Sequence, residues 1–248
     1  MAQKGTYRCR AIVLDKTKLG EKDLILTLLA ESGRQIRAVA KGARRPGSRL
    51  AARCELCCEV DLLLARGKSL DIVSQAELLG APLGPQPDCD LFCAGSAICE
   101  VAKLCSYEES DDPFVFAITR SALNALPGLD GPHLELLCAA YVFKTLSHLG
   151  YRPELGGCVL CGDGQPTHFS AASGGLVCGA CAGTVAGAEP LAADEAAWLR
   201  ALMALRFSDL SQTAVHPDTA ALLLGRAHGW AATHLETRLR SLEFMLDR

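Results

Sequence analysis

Apolar and polar residues alternate with a period of two through most of the first 80 positions, and the rhythm then becomes helical. In Tyr7-Arg8-Cys9-Arg10-Ala11-Ile12-Val13 the alternation sends Tyr7, Cys9, Ala11 and Val13 inward and Arg8 and Arg10 outward. Leu24 to Leu29 predicts a second strand, and Glu31-Ser32-Gly33-Arg34 turns the chain into a third, Gln35 to Lys41. From Glu55 to Ala65, Leu56, Cys58, Val60, Leu62 and Leu64 share one face, with Glu55, Glu59 and Asp61 on the other. Arg66-Gly67-Lys68-Ser69 then turns into a fifth strand, Leu70 to Gln75. Short strands at this spacing, with no long helix among them, predict a small closed barrel of the OB-fold kind.

Ala81-Pro-Leu-Gly-Pro-Gln-Pro87 reads as a linker. Beyond it Leu91, Ala94, Ile98, Val101 and Cys105 follow the i, i+3/i+4 spacing, and 114–126 and 134–149 continue it. Asp194 is placed to cap a helix running through Phe207, and Pro217 to open a longer helical stretch reaching about Leu246. Each segment carries an apolar stripe, so the helices are expected to bundle. The fold class expected is α+β multidomain: an OB-fold barrel over 1–80, a linker over 81–87, and an α-helical domain over 88–156 and 184–248. A zinc module over 157–183 is expected as an insertion in that helical domain.

A chain of 248 residues, half of them hydrophobic, has the length for one large or two medium globular domains. Its apolar runs fall far short of the ~18 residues of a spanning helix, and the N-terminus has no signal-peptide core, so a soluble, cytoplasmic protein is expected. Thirteen cysteines, an odd number, suit a reducing compartment. The net charge of −3 conceals an asymmetry: residues 1–80 carry +6 and residues 81–248 carry −9. A basic N-terminal unit on an acidic body points to a polyanionic partner for the first part alone.

The positive charge is concentrated. Arg34, Arg37, Lys41, Arg44, Arg45, Arg49 and Arg53 occur with no acidic residue among them. Arg37 and Lys41 share a strand face, and the others are expected in a Gly/Pro/Ser loop between the third and fourth strands. A flexible basic loop beside a barrel face can hold a phosphate backbone, so these seven are the candidate DNA contacts, with Arg8 and Arg10 as outlying ones. Single-strand-binding barrels usually stack bases on aromatic rings, yet residues 1–80 contain only Tyr7. Binding is therefore expected to be mostly electrostatic, weakly sequence-dependent and steeply salt-sensitive.

Cys158-Val-Leu-Cys161 and Cys178-Gly-Ala-Cys181 are two C-x2-C knuckles separated by 16 residues. Two thiolates at i and i+3 grip one side of a metal, and two such pairs complete a tetrahedral zinc site. Gly162 lets the chain turn after the first knuckle, and 167–177 has the makings of a short hairpin between them. Four sulfurs leave no open coordination position, which predicts a structural ion rather than a catalytic one. An iron–sulfur cluster, a redox pair and buried thiols are the other readings of the same spacing.

Cys89, Cys93, Cys99 and Cys105 fall on a helix and read as small buried thiols. Cys54-Glu-Leu-Cys57-Cys58 has a C-x2-C, but no second pair lies near it in sequence. Gly67-Lys68-Ser69 resembles the end of a phosphate-binding loop, but the position five before Gly67 is Leu62, so it is read as a hairpin turn. His133-Leu134-Glu135 ahead of the first knuckle echoes a zinc deaminase. The residue before Cys158 is Gly157, however, and that reading leaves Cys178 and Cys181 without a role, so His133 is read as exposed in the first turn after Pro132. No G-x-S-x-G, HExxH or dinucleotide loop is present, which favours a binding protein over an enzyme. A deaminase and a protein-interaction adaptor without DNA affinity are the alternative readings.

With these residues in hand, the chain resembles the RecO family of bacterial recombination and repair mediators over almost its whole length. Gly20-Glu21-Lys22-Asp23-Leu24 through Leu28-Leu29, Gly33-Arg34 and Ala38 to Arg45 are similar to that family's barrel signature. Leu149-Gly-Tyr-Arg-Pro-Glu-Leu155 leading into Cys158-x2-Cys161-Gly162, then Phe169-Ser170, Gly174-Gly175-Leu176 and the second cysteine pair, is the other match. The resemblance implies an OB-fold, a helical domain and an inserted zinc module, with no enzymatic activity. It implies binding to single- and double-stranded DNA, annealing of strands in RecF-pathway repair, and help in loading RecA onto strands coated with single-stranded-DNA-binding protein. The partners implied are RecR and the acidic C-terminal tail of that coating protein, in the cytoplasm with the nucleoid. An acidic helical half must then build a local basic pocket for the tail from residues such as Lys103, Arg120, Lys144 or Arg152.

Overall fold

In a computed structural model that describes residues 5–247, the N-terminal strands close into a barrel. They are β1 (Thr6–Leu19), β2 (Asp23–Ala30), β3 (Gln35–Ala40), β4 (Glu59–Ala65) and β5 (Asp71–Gly80), in the cyclic order β1-β2-β3-β5-β4. β4 returns to β1 with Thr6 opposite Ala65 and Ile12 opposite Glu59, and only the β3–β5 contact is parallel. This is the OB arrangement expected from the alternation. Ala11, Val13, Leu26, Leu28, Val60, Leu62 and Leu64 fill the interior, with Tyr7 and Cys9 packed against it.

The departures from a simple period of two have physical causes. Ile12 and Leu14 are buried as well as Ala11 and Val13, because helix α2 (Cys89–Leu104) packs on β1 from outside. Glu59 does leave the barrel interior as its position in the alternation demands, but only 8% of it is exposed. Arg10 Nε at 2.5 Å and Arg120 Nε at 2.9 Å hold its two oxygens. Arg120 belongs to α3 (Pro113–Ala125), so two guanidiniums on one carboxylate tie that helix to β1 and β4. The segment expected as an irregular basic loop contains a short helix, α1 (Arg49–Arg53), because Ser48 Oγ caps Ala51 N–H at 3.4 Å. Leu50 on that helix packs against the barrel core. The strand expected from Glu55 begins only at Glu59, after Cys57 adopts φ +66°.

The residues gather into two compact units, one up to Pro127 and one from Gly128. α2 and α3 thus fall with the barrel. The second unit is built on α4 (Gly131–His148), paired along its length with a long C-terminal helix. Asp130 Oδ1 caps α4 by accepting from His133 N–H at 3.0 Å. Between the knuckles β6 (His168–Ser170) and β7 (Gly175–Val177) form the expected hairpin, followed by α5 (Gly179–Ala182) and β8 (Glu189–Pro190), which adds to β6. The helix expected from Asp194 to Phe207 is divided into α6 (Glu195–Ala204) and α7 (Phe207–Leu210) at an extended Leu205. Likewise α8 (Pro217–Leu235) stops where Glu236 turns left-handed at φ +49°, and α9 (Arg240–Leu246) follows. Both divided helices read as continuous in sequence because neither break carries a glycine or proline.

Trp230 of α8 is fully buried between Phe143 and Phe169, with ring centroids 6.0 and 5.7 Å away, and its indole N–H donates to Tyr151 O at 3.2 Å. Arg226, one turn earlier, is also buried. Its Nε lies 2.5 Å from Glu195 Oε1, its Nη2 donates to Pro190 O at 2.9 Å, and its Nη1 pairs with Glu189. One guanidinium therefore joins α8, α6 and β8. Nothing in the periodicity of the chain pointed to it.

Candidate metal centre and nucleic-acid interface

The four knuckle cysteines converge. Their Sγ atoms lie within 4.8 Å of one another, and Cys161 and Cys178 are 3.7 Å apart. Tetrahedral zinc with Zn–S bonds of about 2.3 Å requires sulfurs spaced by about 3.8 Å, so the donor set fits that ion. Backbone bonds shape the first knuckle: Gly162 N–H donates to Cys158 O at 2.8 Å, made possible by φ +78° at Gly162. Cys158 N–H in turn reaches Asp163 O at 2.8 Å, and Val159 N–H reaches Leu176 O at 2.9 Å. In the second, Cys178 O accepts from Cys181 and Ala182 N–H at 3.1 and 3.0 Å.

Cys158, Val177 and Cys178 form a small buried cluster with Val159, Ala182 and Val185 around it. Cys158 and Cys178 are thus buried on an apolar side, whereas Cys161 is exposed and Cys181 half-buried. Hydrogen bonding from the Cys178 backbone, aided by Cys161 and Leu160, holds the Cys158 thiol down at about 6. Hydrogen bonding to Cys178 and Cys161 pushes Cys181 up to about 12. A metal would displace the protons held among these sulfurs.

Among the described residues no other group of three or more metal-competent side chains comes together. His133 is not the exposed residue expected from its place in the first turn of α4. Its Nδ1 lies 2.5 Å from Asp130 Oδ1 and its Nε2 3.2 Å from Thr213 O, so both ring nitrogens are engaged away from the sulfurs. Cys54 and Cys58 are barrel core, and Cys57 Sγ meets Cys99 Sγ at 3.4 Å in the α2 packing. Burial pushes the Cys54 and Cys105 thiols up to about 12, as expected of inert core thiols. Cys89 departs from that expectation: it is exposed at the start of α2.

The seven basic residues of the barrel do not form one patch. Arg34 and Arg37 line a cleft of about 320 Å³ at the start of β3, together with Arg66 of the β4–β5 turn. Arg49 and Arg53 line a separate groove of about 760 Å³ over β4 and β5, with Arg8. Lys41, Arg44 and Arg45 follow β3 toward the β1–β2 turn, where Arg44 Nη1 donates to Gly20 O and Glu21 O at 2.9 and 3.0 Å. Arg53 is committed to Ala76 O at 2.9 Å and Arg8 to Asp61 at 2.9 Å. Arg10 is taken by Glu59. Arg37, Lys41, Arg45 and Arg49 are exposed and have no ion-pair or hydrogen-bond partner among the described side chains. Arg66 joins them only through the fold, because in sequence its turn reads as a hairpin connection.

Two family models match the chain: "Recombination protein O N terminal" over residues 1–82 and "Recombination protein O C terminal" over residues 86–243. The chain belongs to the RecO family. A DNA repair protein RecO of Bifidobacterium longum (strain DJO10A) is 42% identical over 176 residues, covering 69% of this chain and 72% of that protein. RecO of Nocardioides sp. is 35% identical over 247 residues, covering 96% and 98%, and that of Roseiflexus sp. 33% over 244 residues, covering 97% and 85%. RecO membership gives the chain a role in DNA repair and recombination. The barrel is the part matched by the N-terminal RecO model, and the four clustered cysteines lie within the C-terminal match. No helix among the described residues is long and apolar enough to cross a membrane.

Proposed function

We propose that this chain is a non-enzymatic recombination mediator that binds single- and double-stranded DNA on its barrel, anneals complementary strands and assists RecA loading onto strands coated with single-stranded-DNA-binding protein. The observation that carries this reading is the run of unpaired cations, Arg37, Lys41, Arg45 and Arg49, on a closed OB barrel of a RecO-family chain. Such exposed, unpartnered charge gains most from phosphate, because no internal ion pair has to be given up. Arg34, Arg44 and Arg53 would contribute with the guanidinium nitrogens left over from their carbonyl bonds. The proposed cofactor is one structural Zn²⁺ held by Cys158, Cys161, Cys178 and Cys181, and the proposed setting is the cytoplasm, at the nucleoid.

RecR and the acidic tail of the coating protein are the proposed protein partners. Of the cations considered for the tail, Lys103 is paired with Asp15 at 2.5 Å and Arg120 with Glu59. Lys144 donates to Met203 O at 2.9 Å from a half-buried position, and desolvation lowers its pKa. Arg152 instead lines a cleft of about 450 Å³ with Arg200, Pro153, Leu155 and Met203. Glu154 lines the same cleft with its carboxylate accepting from Gly156 N–H at 2.7 Å, and Arg200 Nε donates to Leu155 O at 3.0 Å, so Arg152 is the cation there that supports binding of an acidic peptide.

Arg37→Ala/Lys41→Ala/Arg45→Ala tests the DNA reading without disturbing an internal contact. In single-strand titrations at several salt concentrations, the log–log salt slope should flatten by about 2, from about 0.7 per phosphate contact. An unchanged slope would remove β3 and the segment after it from the interface.

A further inference from the structure

Between α2 and α3 the chain reads Tyr107-Glu-Glu-Ser-Asp-Asp112, with Glu108, Glu109, Asp111 and Asp112 in close succession. The fold lays this acidic segment against the start of β3, beside the first of the barrel's clustered cations. Gln35 N–H donates to Tyr107 O at 2.9 Å, and Arg34 Nε donates to Glu108 O at 3.0 Å. Gln35 Nε2 adds bonds to Lys103 O at 2.8 Å and Ser106 Oγ at 3.1 Å, which fix the end of α2 where the segment begins. The far end is held as closely. Gly33, in the β2–β3 turn, has φ +92°, and a Cβ there would meet Asp112 O at 2.0 Å. Residues 107–112 are thus strapped along the turn by backbone contacts, which leave their carboxylates free to act on what lies nearby.

What lies nearby is positive. Glu108 lines the 320 Å³ cleft that holds Arg34, Arg37 and Arg66. Glu108, Glu109 and Asp111 are exposed, and none of the three is in an ion pair among the described residues. Asp112 is used differently: its Oδ1 accepts from Phe114 N–H at 3.2 Å at the start of α3. The other acid of the cleft, Asp71, is engaged by the Tyr7 hydroxyl and by Gly67 N–H. Carboxylates fixed near guanidiniums without pairing to them lower the positive potential over a range of about 10 Å at 0.1 M salt. A phosphate entering the cleft therefore meets repulsion from one wall, and Arg34 has already given one donor to the backbone of that wall.

We propose that residues 107–112 form an autoinhibitory strap, whose carboxylates hold down the affinity of the β3 cleft for a phosphate backbone. This rests on the DNA-binding reading above and adds a built-in limit to it. A chain that anneals strands has to let go of its product, and repulsion fixed beside the cations weakens its hold.

Glu108→Gln/Glu109→Gln/Asp111→Asn in the full chain, titrated with an oligonucleotide at several salt concentrations, tests the strap. Affinity should rise about tenfold at low salt, the order expected of three charges about 10 Å from several phosphates, and the gain should fade as salt increases. Asp218→Asn/Glu236→Gln/Asp247→Asn makes the same change in net charge on α8 and beyond it, and should leave affinity unchanged. In an Arg37→Ala/Arg66→Ala background the gain should largely disappear, because no phosphate is then drawn into the cleft. A strap variant that binds as the wild type, a rise matched by the α8 control, or a gain that survives loss of Arg37 and Arg66 would overturn the strap while leaving DNA binding in place. Wild type and strap variant that both fail to bind at low salt would overturn the DNA reading and the strap with it.

Discussion

Cys158→Ser is expected to release the metal from the two knuckles and to unfold the segment that carries them. Cys158 is the ligand the local fold surrounds most closely: it is 4% exposed, packed with Val177 and Cys178, and bonded through its backbone to Asp163 and Gly162. A serine hydroxyl is a poor zinc ligand, and three remaining thiolates would repel one another without a full complement of donors. β6, β7 and β8 are strands of two or three residues and cannot persist without the crosslink. The expected result is loss of stoichiometric zinc by metal analysis and a fall in melting temperature on the order of 10 °C, with oligonucleotide binding by the barrel retained. Cys161→Ser should act in the same direction. Full zinc content with lost DNA binding would refute this division of labour.

Arg226→Met should destabilise the second unit by about 3–5 kcal/mol, because it leaves the carboxylate of Glu195 buried without its cation. Glu195 is 2% exposed, and after the substitution the one donor left to it among the described residues is Ala192 N–H at 2.9 Å. Arg226→Met/Glu195→Met removes both charges and should recover most of the loss, since an apolar pair of similar volume is often as stable as the ion pair. The double-mutant cycle, measured by denaturant unfolding, isolates the coupling. A single variant as stable as the wild type would mean that water reaches Glu195 freely in solution.

The barrel and the cluster of four cysteines were largely legible in the sequence. Alternation in β1, β2 and β4 placed Ala11, Val13, Leu62 and Leu64 inside, since a strand has only two faces and one of them is the core. The knuckle spacing fixed the sulfur cluster, because i and i+3 thiols are neighbours whatever surrounds them. Less was legible where a residue's partner is remote. Glu59 read as a solvent-facing acid, but Arg120, 61 positions away, covers it. The breaks at Leu205 and Glu236 lie inside apolar patterns that continue through them and carry no glycine or proline, and after the first Asp209 accepts from Arg206 N–H at 3.2 Å as a new helix begins.

The basic segment shows the division most clearly. Its charge was determined by sequence alone, as was its freedom from neighbouring acids, and both follow from composition over a short run. Its separation into the Arg34–Arg37–Arg66 cleft, the Arg49–Arg53 groove and the Lys41–Arg45 stretch was decided by barrel closure, which assigns consecutive residues to different sides. Tertiary structure also brought Tyr107 to Gln35, 72 positions upstream. Local periodicity reports which face of an element is buried. Which distant side chain then meets the exposed face depends on how the elements close on one another, and that contact is where ion pairs and binding sites are made.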